Sequence, residues 1–289
     1  NLDYIIEAAK AVPLPLRSHA SKEALQRYLL TQLQSEGLLV DVAFIGGTAL
    51  RLLHQLPRYS EDLDFLWMNA EAEANLDKWG KSLTRALKKL GAVAHVSTKR
   101  MEKEDAKVRK RFFVAYLLAE APALRPFAER GLQISFEIDL DPPAHTVTEA
   151  RTLDIAGNQV TVPSLTLPSL MTGKLHILLT RKDREKGRDW FDYAWYRRNG
   201  ILPNVPQLES AIAQTADGPE ARYWMSHLRE RTKTVNWQHV REDVKPFLED
   251  PTAANGLNDV TISQLTPYPD FQGILLELHK LKGQHPFLS

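Results

Sequence analysis

Two acidic residues one position apart, Asp62 and Asp64, stand in the run Ser60-Glu61-Asp62-Leu63-Asp64-Phe65. If Glu61 to Met68 is extended, a period of two sends both carboxylates to one face and Leu63 and Phe65 to the other. Carboxylates placed in this way suit Mg²⁺, a hard cation that takes oxygen ligands and bridges to phosphates. Two such ions about 3.5–4 Å apart can activate an attacking hydroxyl and stabilise a leaving pyrophosphate. A site of this kind needs a third carboxylate from another strand. The apolar run Leu132 to Leu140 supplies Glu137 and Asp139, again on one face. An acid in so apolar a strand is costly unless it is paired or bound to a cation. Glu137, flanked by Phe136 and Ile138, is favoured, with Asp139 as the alternative.

Upstream lies Phe44-Ile45-Gly46-Gly47-Thr48. Two glycines after a strand let the backbone approach a ligand closely. If they lead into a helix, its N–H groups and positive end face an anion such as phosphate. Farther along, Lys174 sits on a largely apolar helical stretch. Such a lysine usually snorkels to solvent, but it can also enter a cleft and hold phosphates as a point charge. Asp189, in Arg188-Asp189-Trp190-Phe191-Asp192, reads either as an acid at a helix N-terminus or as the residue that orients Lys174 or Arg188.

These residues need elements to hold them. Helical patterns run over Leu2–Val12, Ala20–Leu39, Thr48–Leu56 and Glu71–Leu90, the last stopped by Gly91. Strand patterns cover Val40–Ile45, Glu61–Met68, Ala92–Thr98, Arg111–Leu118 and Leu132–Leu140, with a hairpin over Asp154–Val162 turning at Gly157-Asn158. From Pro168 onward the periodicity is helical. The expected division is therefore an α/β domain with N-terminal helices over 1–165 and a helical domain over 166–289, which contributes Lys174 and Asp189.

The 289 residues are 43% hydrophobic and 25% charged, the profile of a globular chain. No stretch reaches the roughly 18–20 apolar residues of a membrane helix, so no membrane partner is expected. The absence of cysteine excludes disulfides, thiolate zinc sites and cysteine nucleophiles, and fits a cytoplasmic location. The formal net charge of +1 hides two basic clusters, Lys99 to Arg111 and Arg181 to Arg188. Taken alone they read as solvated surface.

Gly46-Gly47-Thr48-Ala49-Leu50, Arg58-Tyr59-Ser60-Glu61-Asp62-Leu63-Asp64-Phe65 and Lys174 followed by Arg188-Asp189-Trp190-Phe191-Asp192 together resemble the AbiEii/AbiGii family of nucleotidyltransferase-like toxins. That family includes mycobacterial tRNA-modifying toxins. The resemblance implies an α+β fold: a DNA polymerase β-like domain with a mixed sheet, followed by an all-helical C-terminal part. It also implies a Mg²⁺-dependent enzyme of a toxin–antitoxin or phage-defence system. Members add nucleotides, often pyrimidines, from NTP to the 3′ acceptor end of tRNA and so stop translation. By this resemblance Gly46, Gly47 and Ser60 match nucleotide-binding positions, Asp62 and Asp64 the metal pair, and Lys174 and Asp189 the later catalytic pair. In the mechanism expected, Asp62, Asp64 and the third carboxylate hold two Mg²⁺, while Gly46-Gly47-Thr48, Ser60 and Lys174 hold the triphosphate. A cognate antitoxin is the implied partner. With tRNA as substrate, at least one basic cluster is expected to contact RNA. Two other readings keep the pocket: transfer to a protein hydroxyl, and a nucleotide-binding module without turnover.

Overall fold

Strict alternation in Leu132–Asp139 (β5) becomes a two-faced strand: Leu132, Ile134, Phe136 and Ile138 are buried, and Gln133, Ser135, Glu137 and Asp139 lie on the other face. Val42–Ile45 (β1) and Leu63–Trp67 (β2) run beside it in the centre of a seven-stranded sheet. The other strands are Val93–Met101 (β3), Lys110–Leu118 (β4), Thr148–Ile155 (β6) and Asn158–Leu165 (β7), in the order β3-β4-β5-β2-β1-β7-β6. The sheet is mixed: β2 pairs in parallel with β5 and β1 with β7, and the remaining pairings are antiparallel. The computed structural model describes residues 2–71, 76–90, 93–101, 110–118, 132–215 and 218–267, with backbone alone for β3 and β4. The expected helix stop at Gly91 and most of the basic run Lys99 to Arg111 lie outside the described residues.

Leu2–Lys10 (α1) and Arg17–Ser35 (α2) open the chain, followed by Gly46–His54 (α3) and Leu76–Lys89 (α4). In α2 the buried residues Ala20, Ser21, Ala24, Leu25, Leu29, Leu30 and Leu33 recur at helical spacing and form one covered face. Trp79 of α4 packs edge-on against Phe65, with ring centroids 5.4 Å apart, and Phe65 stacks on Phe44 at 5.2 Å. Helices therefore close the Leu63/Phe65 face of the sheet, away from the acidic residues. Each fully buried Phe there, including Phe136, contributes about 1.5–3 kcal/mol by leaving water.

Helix α3 begins at Gly46, two residues earlier than the sequence pattern suggests, because the strand passes straight into it with Gly46 at φ +77°. It ends at His54, where Gln55 turns left-handed at φ 59°, before Pro57 is reached. The hairpin is longer than expected, since β6 and β7 pair from Thr148↔Leu165 to Ile155↔Asn158.

Beyond Leu165 the described elements are helical: Leu167–Thr180 (α5), Gly187–Arg198 (α6), Val205–Thr215 (α7), Trp224–Thr232 (α8), Trp237–Val244 (α9) and Asp259–Leu265 (α10), with short 3-10 turns between them. Pro168 at the start of α5 has the fixed φ and missing N–H that a first helical turn accommodates. The N-terminus of α6 is capped from a distance: Gly187 N–H donates to Asp243 Oδ2 at 2.8 Å. A Cβ at Gly187 would collide with the carbonyl oxygen of Val240, so glycine lets α9 cross here. The helical part also reaches back to the sheet. Tyr59 N–H donates to Phe247 O at 2.7 Å, and Arg58 forms an isolated bridge with Leu248.

Candidate active site

Strand register decides which acids meet. Asp64 of β2 lies opposite Ile45 on one side and opposite Glu137 of β5 on the other. The same register sets Ser135 beside Asp62, and the Ser135 hydroxyl hydrogen-bonds to the Asp62 carboxyl. Asp62, Asp64 and Glu137 thus share the face opposite the helix-covered core. Asp139 is two residues along, opposite Leu66, and its Oδ1 accepts the Asp141 N–H at 3.1 Å. The pairing places Glu137 nearer the acidic pair.

Burial raises the Asp62 pKa above its ordinary value, and the neighbouring Glu61 adds to the shift against the opposing charges of Arg188 and Lys22. A desolvated carboxylate beside another carboxylate is relieved by a bound cation. The donor set here is all oxygen, as Mg²⁺ prefers, so the residues fit such an ion. Among the described residues no three His, Asp or Glu side chains are drawn tightly enough together to form a metal site. What the fold supplies is a shared face and register.

The glycines are needed for space as much as for conformation. A Cβ at Gly46 would lie 2.5 Å from Asp64 Oδ2; one at Gly47 would strike Arg58 Nη2 and lie 2.9 Å from Ser60 Oγ. Gly47→Ala is expected to destabilise the protein by about 1–3 kcal/mol through overpacking, because Arg58 is pinned and cannot swing aside. Urea unfolding would measure this, and an unchanged midpoint would contradict the packing argument.

Thr48 is packed inside the fold. Its side chain is fully buried, and the hydroxyl donates to the Asp62 carbonyl. The side chain therefore props the start of β2. Gln26 of α2 supports the same segment, donating to Ser60 O at 3.2 Å and Asp62 O at 3.4 Å.

Lys174 and Asp189 come together as their order in the sequence suggests, with Lys174 Nζ donating to Asp189 Oδ1 at 2.7 Å. Lys174 is also 2.9 Å from Asp192 Oδ2, and Arg181 Nη2 is 3.0 Å from Asp189 Oδ2. Of the two expected partners of Asp189, Lys174 is present, whereas Arg188 pairs with Glu61. Burial works to lower the Lys174 pKa, but Asp189 and Asp192 outweigh it and raise the value, keeping the ammonium charged.

Sequence reasoning missed Arg58 and Asp192 as site residues. Arg58 is 2% exposed, and its Nε and Nη2 each donate to Asp192, at 2.6 Å. Asp192 thereby holds Arg58 and Lys174 at once and ties the loop before β2 to α5 and α6. Burial would raise the Asp192 pKa, but Arg58 and Lys174 pull it below its ordinary value. The available signal was the position of Arg58 just before Ser60 and of Asp192 one helical turn after Asp189. In the basic run after α5, Arg181 and Arg188 are committed to Asp189 and Glu61, and Arg184 reaches Asp243 at 3.4 Å.

A family model described as the nucleotidyl transferase AbiEii toxin of a type IV toxin–antitoxin system matches residues 27–275. The chain belongs to the AbiEii family. Membership makes this a chain of the nucleotidyltransferase class, with the toxin role and the α+β fold that the family carries. Among solved structures, the crystal structure of JHP933 from Helicobacter pylori is similar with 17% identity and a TM-score of 0.48, over 92% of this chain and 97% of that one. A candidate nucleotidyltransferase from H. pylori is similar with 18% identity and a TM-score of 0.47, over 90% and 96% of the two chains. Comparison with curated proteins returns no match. No helix among the described residues is long and apolar enough to cross a membrane.

Proposed function

We propose that this AbiEii-family chain transfers a nucleoside monophosphate from an NTP, with pyrimidines the favoured donors, to the 3′ acceptor end of tRNA and so blocks translation. The observation that carries the reading is the placement of Asp62, Asp64 and Glu137 on one face of paired strands, directly beside the Gly46-Gly47 turn. Asp62, Asp64 and Glu137, with Asp139 as the alternative, would hold two Mg²⁺. When bound, these ions supply charge neutralisation and activation of the attacking hydroxyl. Gly46, Gly47 and Ser60 line the place for the triphosphate, and Lys174, oriented by Asp189, supplies the positive charge that faces it. The 3′-hydroxyl oxygen forms the new bond to the α-phosphorus, and its proton passes to a carboxylate of the site. The bond from the α-phosphorus to the bridging oxygen breaks in line, and pyrophosphate leaves.

The division into a catalytic part over 1–165 and a helical part over 166–289 belongs to the same proposal, with Lys174 and Asp189 reaching the site from the second part. A cognate antitoxin, a role in defence against phage and action in the cytoplasm are part of the same proposal. The test is incubation of the protein with total tRNA, Mg²⁺ and each α-labelled NTP separately, with Asp62→Ala as control. Label on tRNA that vanishes in the variant supports the proposal and names the nucleotide. Label on protein moves the acceptor to a side-chain hydroxyl. Nucleotide binding without label anywhere removes the enzymatic reading in favour of a binding module.

A further inference from the structure

Glu61 stands between Ser60 and Asp62 and takes no part in the steps above. Its Oε1 is 2.6 Å from Lys22 Nζ of α2, and its Oε2 is 3.3 Å from Arg188 Nη1 of α6. The Arg188 guanidinium is itself held 4.3 Å from the centre of the Phe247 ring. Two cations from distant parts of the chain therefore converge on one carboxylate, next in sequence to Asp62. Access separates this cluster from the Arg58–Asp192 pair. Asp192 and Arg58 are closed off, whereas the side chains of Lys22, Glu61 and Arg188 keep 19%, 28% and 24% exposure. Solvent reaches all three.

We propose that Lys22 and Arg188 form a phosphate-binding subsite beside Asp62, and that Glu61 occupies it as an internal anion until phosphate arrives. A carboxylate that gives one oxygen to each of two cations imitates a bridging phosphate. The guanidinium fork and the ammonium point charge are the two donor types that phosphate recognition uses. These ion pairs keep contact with solvent, which screens them, so a more highly charged phosphate can compete with Glu61 for the two cations. This inference rests on the nucleotidyltransferase reading only for the source of the phosphate, which is either the incoming triphosphate or the backbone of the acceptor RNA.

The test is equilibrium binding, in EDTA, of inorganic tripolyphosphate, of each nucleoside triphosphate and of deacylated tRNA. Glu61→Gln is expected to tighten binding of at least one probe by about three- to tenfold, because the internal competitor is removed. Lys22→Ala with Arg188→Ala is expected to weaken the same probe by about tenfold or more and to flatten its salt dependence. An effect on tripolyphosphate and nucleotides assigns the subsite to the donor; an effect on tRNA alone assigns it to the acceptor backbone. Unchanged affinity for every probe in folded variants of both kinds overturns the proposal and leaves Glu61 as a pin between α2 and α6. Because turnover is not read, shifted binding without transfer would sink the proposed function and leave the subsite standing.

Discussion

Asp62→Asn is expected to lower nucleotide transfer by about a thousandfold or more while leaving the metal-free protein at least as stable as wild type. The first half follows from the loss of a metal ligand that stabilises transition-state charge, an effect of several kcal/mol, of which about 4 corresponds to three decades of rate. The second half follows from the surroundings of the carboxylate. Asp62 is desolvated and stands beside Glu61, and Lys22 and Arg188 already pair with Glu61. Its hydrogen bond from Ser135 does not require a charge, so an amide of the same shape removes a strained ionisation without opening a cavity. Thermal melts in EDTA would check this part. Mg²⁺ should then raise the wild-type midpoint by mass action and leave that of the variant nearly unmoved. A variant that melts several degrees lower in EDTA would make Asp62 a structural residue and remove the argument for a metal.

The acidic face was legible because period-two alternation is local: Asp62, Asp64, Glu137 and Asp139 could each be assigned a side from their immediate neighbours. Which of Glu137 and Asp139 lies next to Asp64 was not legible, because that depends on the parallel pairing of β2 with β5, set by strands far apart in the chain. The partner of Thr48 was not legible for a related reason. Nothing in Gly46-Gly47-Thr48 itself shows that the hydroxyl will be donated to the Asp62 carbonyl when the chain returns. Lys174 and Asp189 could be proposed as a pair because a helix, a turn and the start of another helix suffice to bring them together. Arg58 and Asp192 are 134 residues apart. No local pattern says that an arginine in a loop will be buried against an aspartate in the second turn of α6. Lys22 carried no signal at all, being one of several charges on an amphipathic helix.

The Arg58–Asp192 pair yields the largest expected change in stability. Asp192→Asn should destabilise the protein by about 3–5 kcal/mol at neutral pH, the range for removing one partner of a buried pair. Lys174 keeps Asp189, but Arg58 is left with the Tyr59 carbonyl as its remaining acceptor and almost no water. Arg58→Met combined with Asp192→Leu should cost less than the two single changes added together, because neither partner is then stranded. The pH dependence has a definite sign. A carboxylate whose folded pKa is depressed contributes stability above its unfolded value, near 3.8, and loses it as pH falls through the lower folded value. The difference between wild type and Asp192→Asn should therefore stay constant from about pH 8 to pH 5 and shrink only in stronger acid. Urea unfolding across that range tests both statements, and a difference under about 1 kcal/mol at pH 7 would mean that Arg58 finds water when its partner is lost. The functional consequence is separable from the loss of stability. Arg58 Nη2 occupies the space where a Gly47 side chain would go, so a released Arg58 disturbs the turn while Lys174 stays on Asp189. Transfer measured well below the midpoint of the variant should thus show weakened nucleotide binding, with a raised KM and a smaller change in kcat.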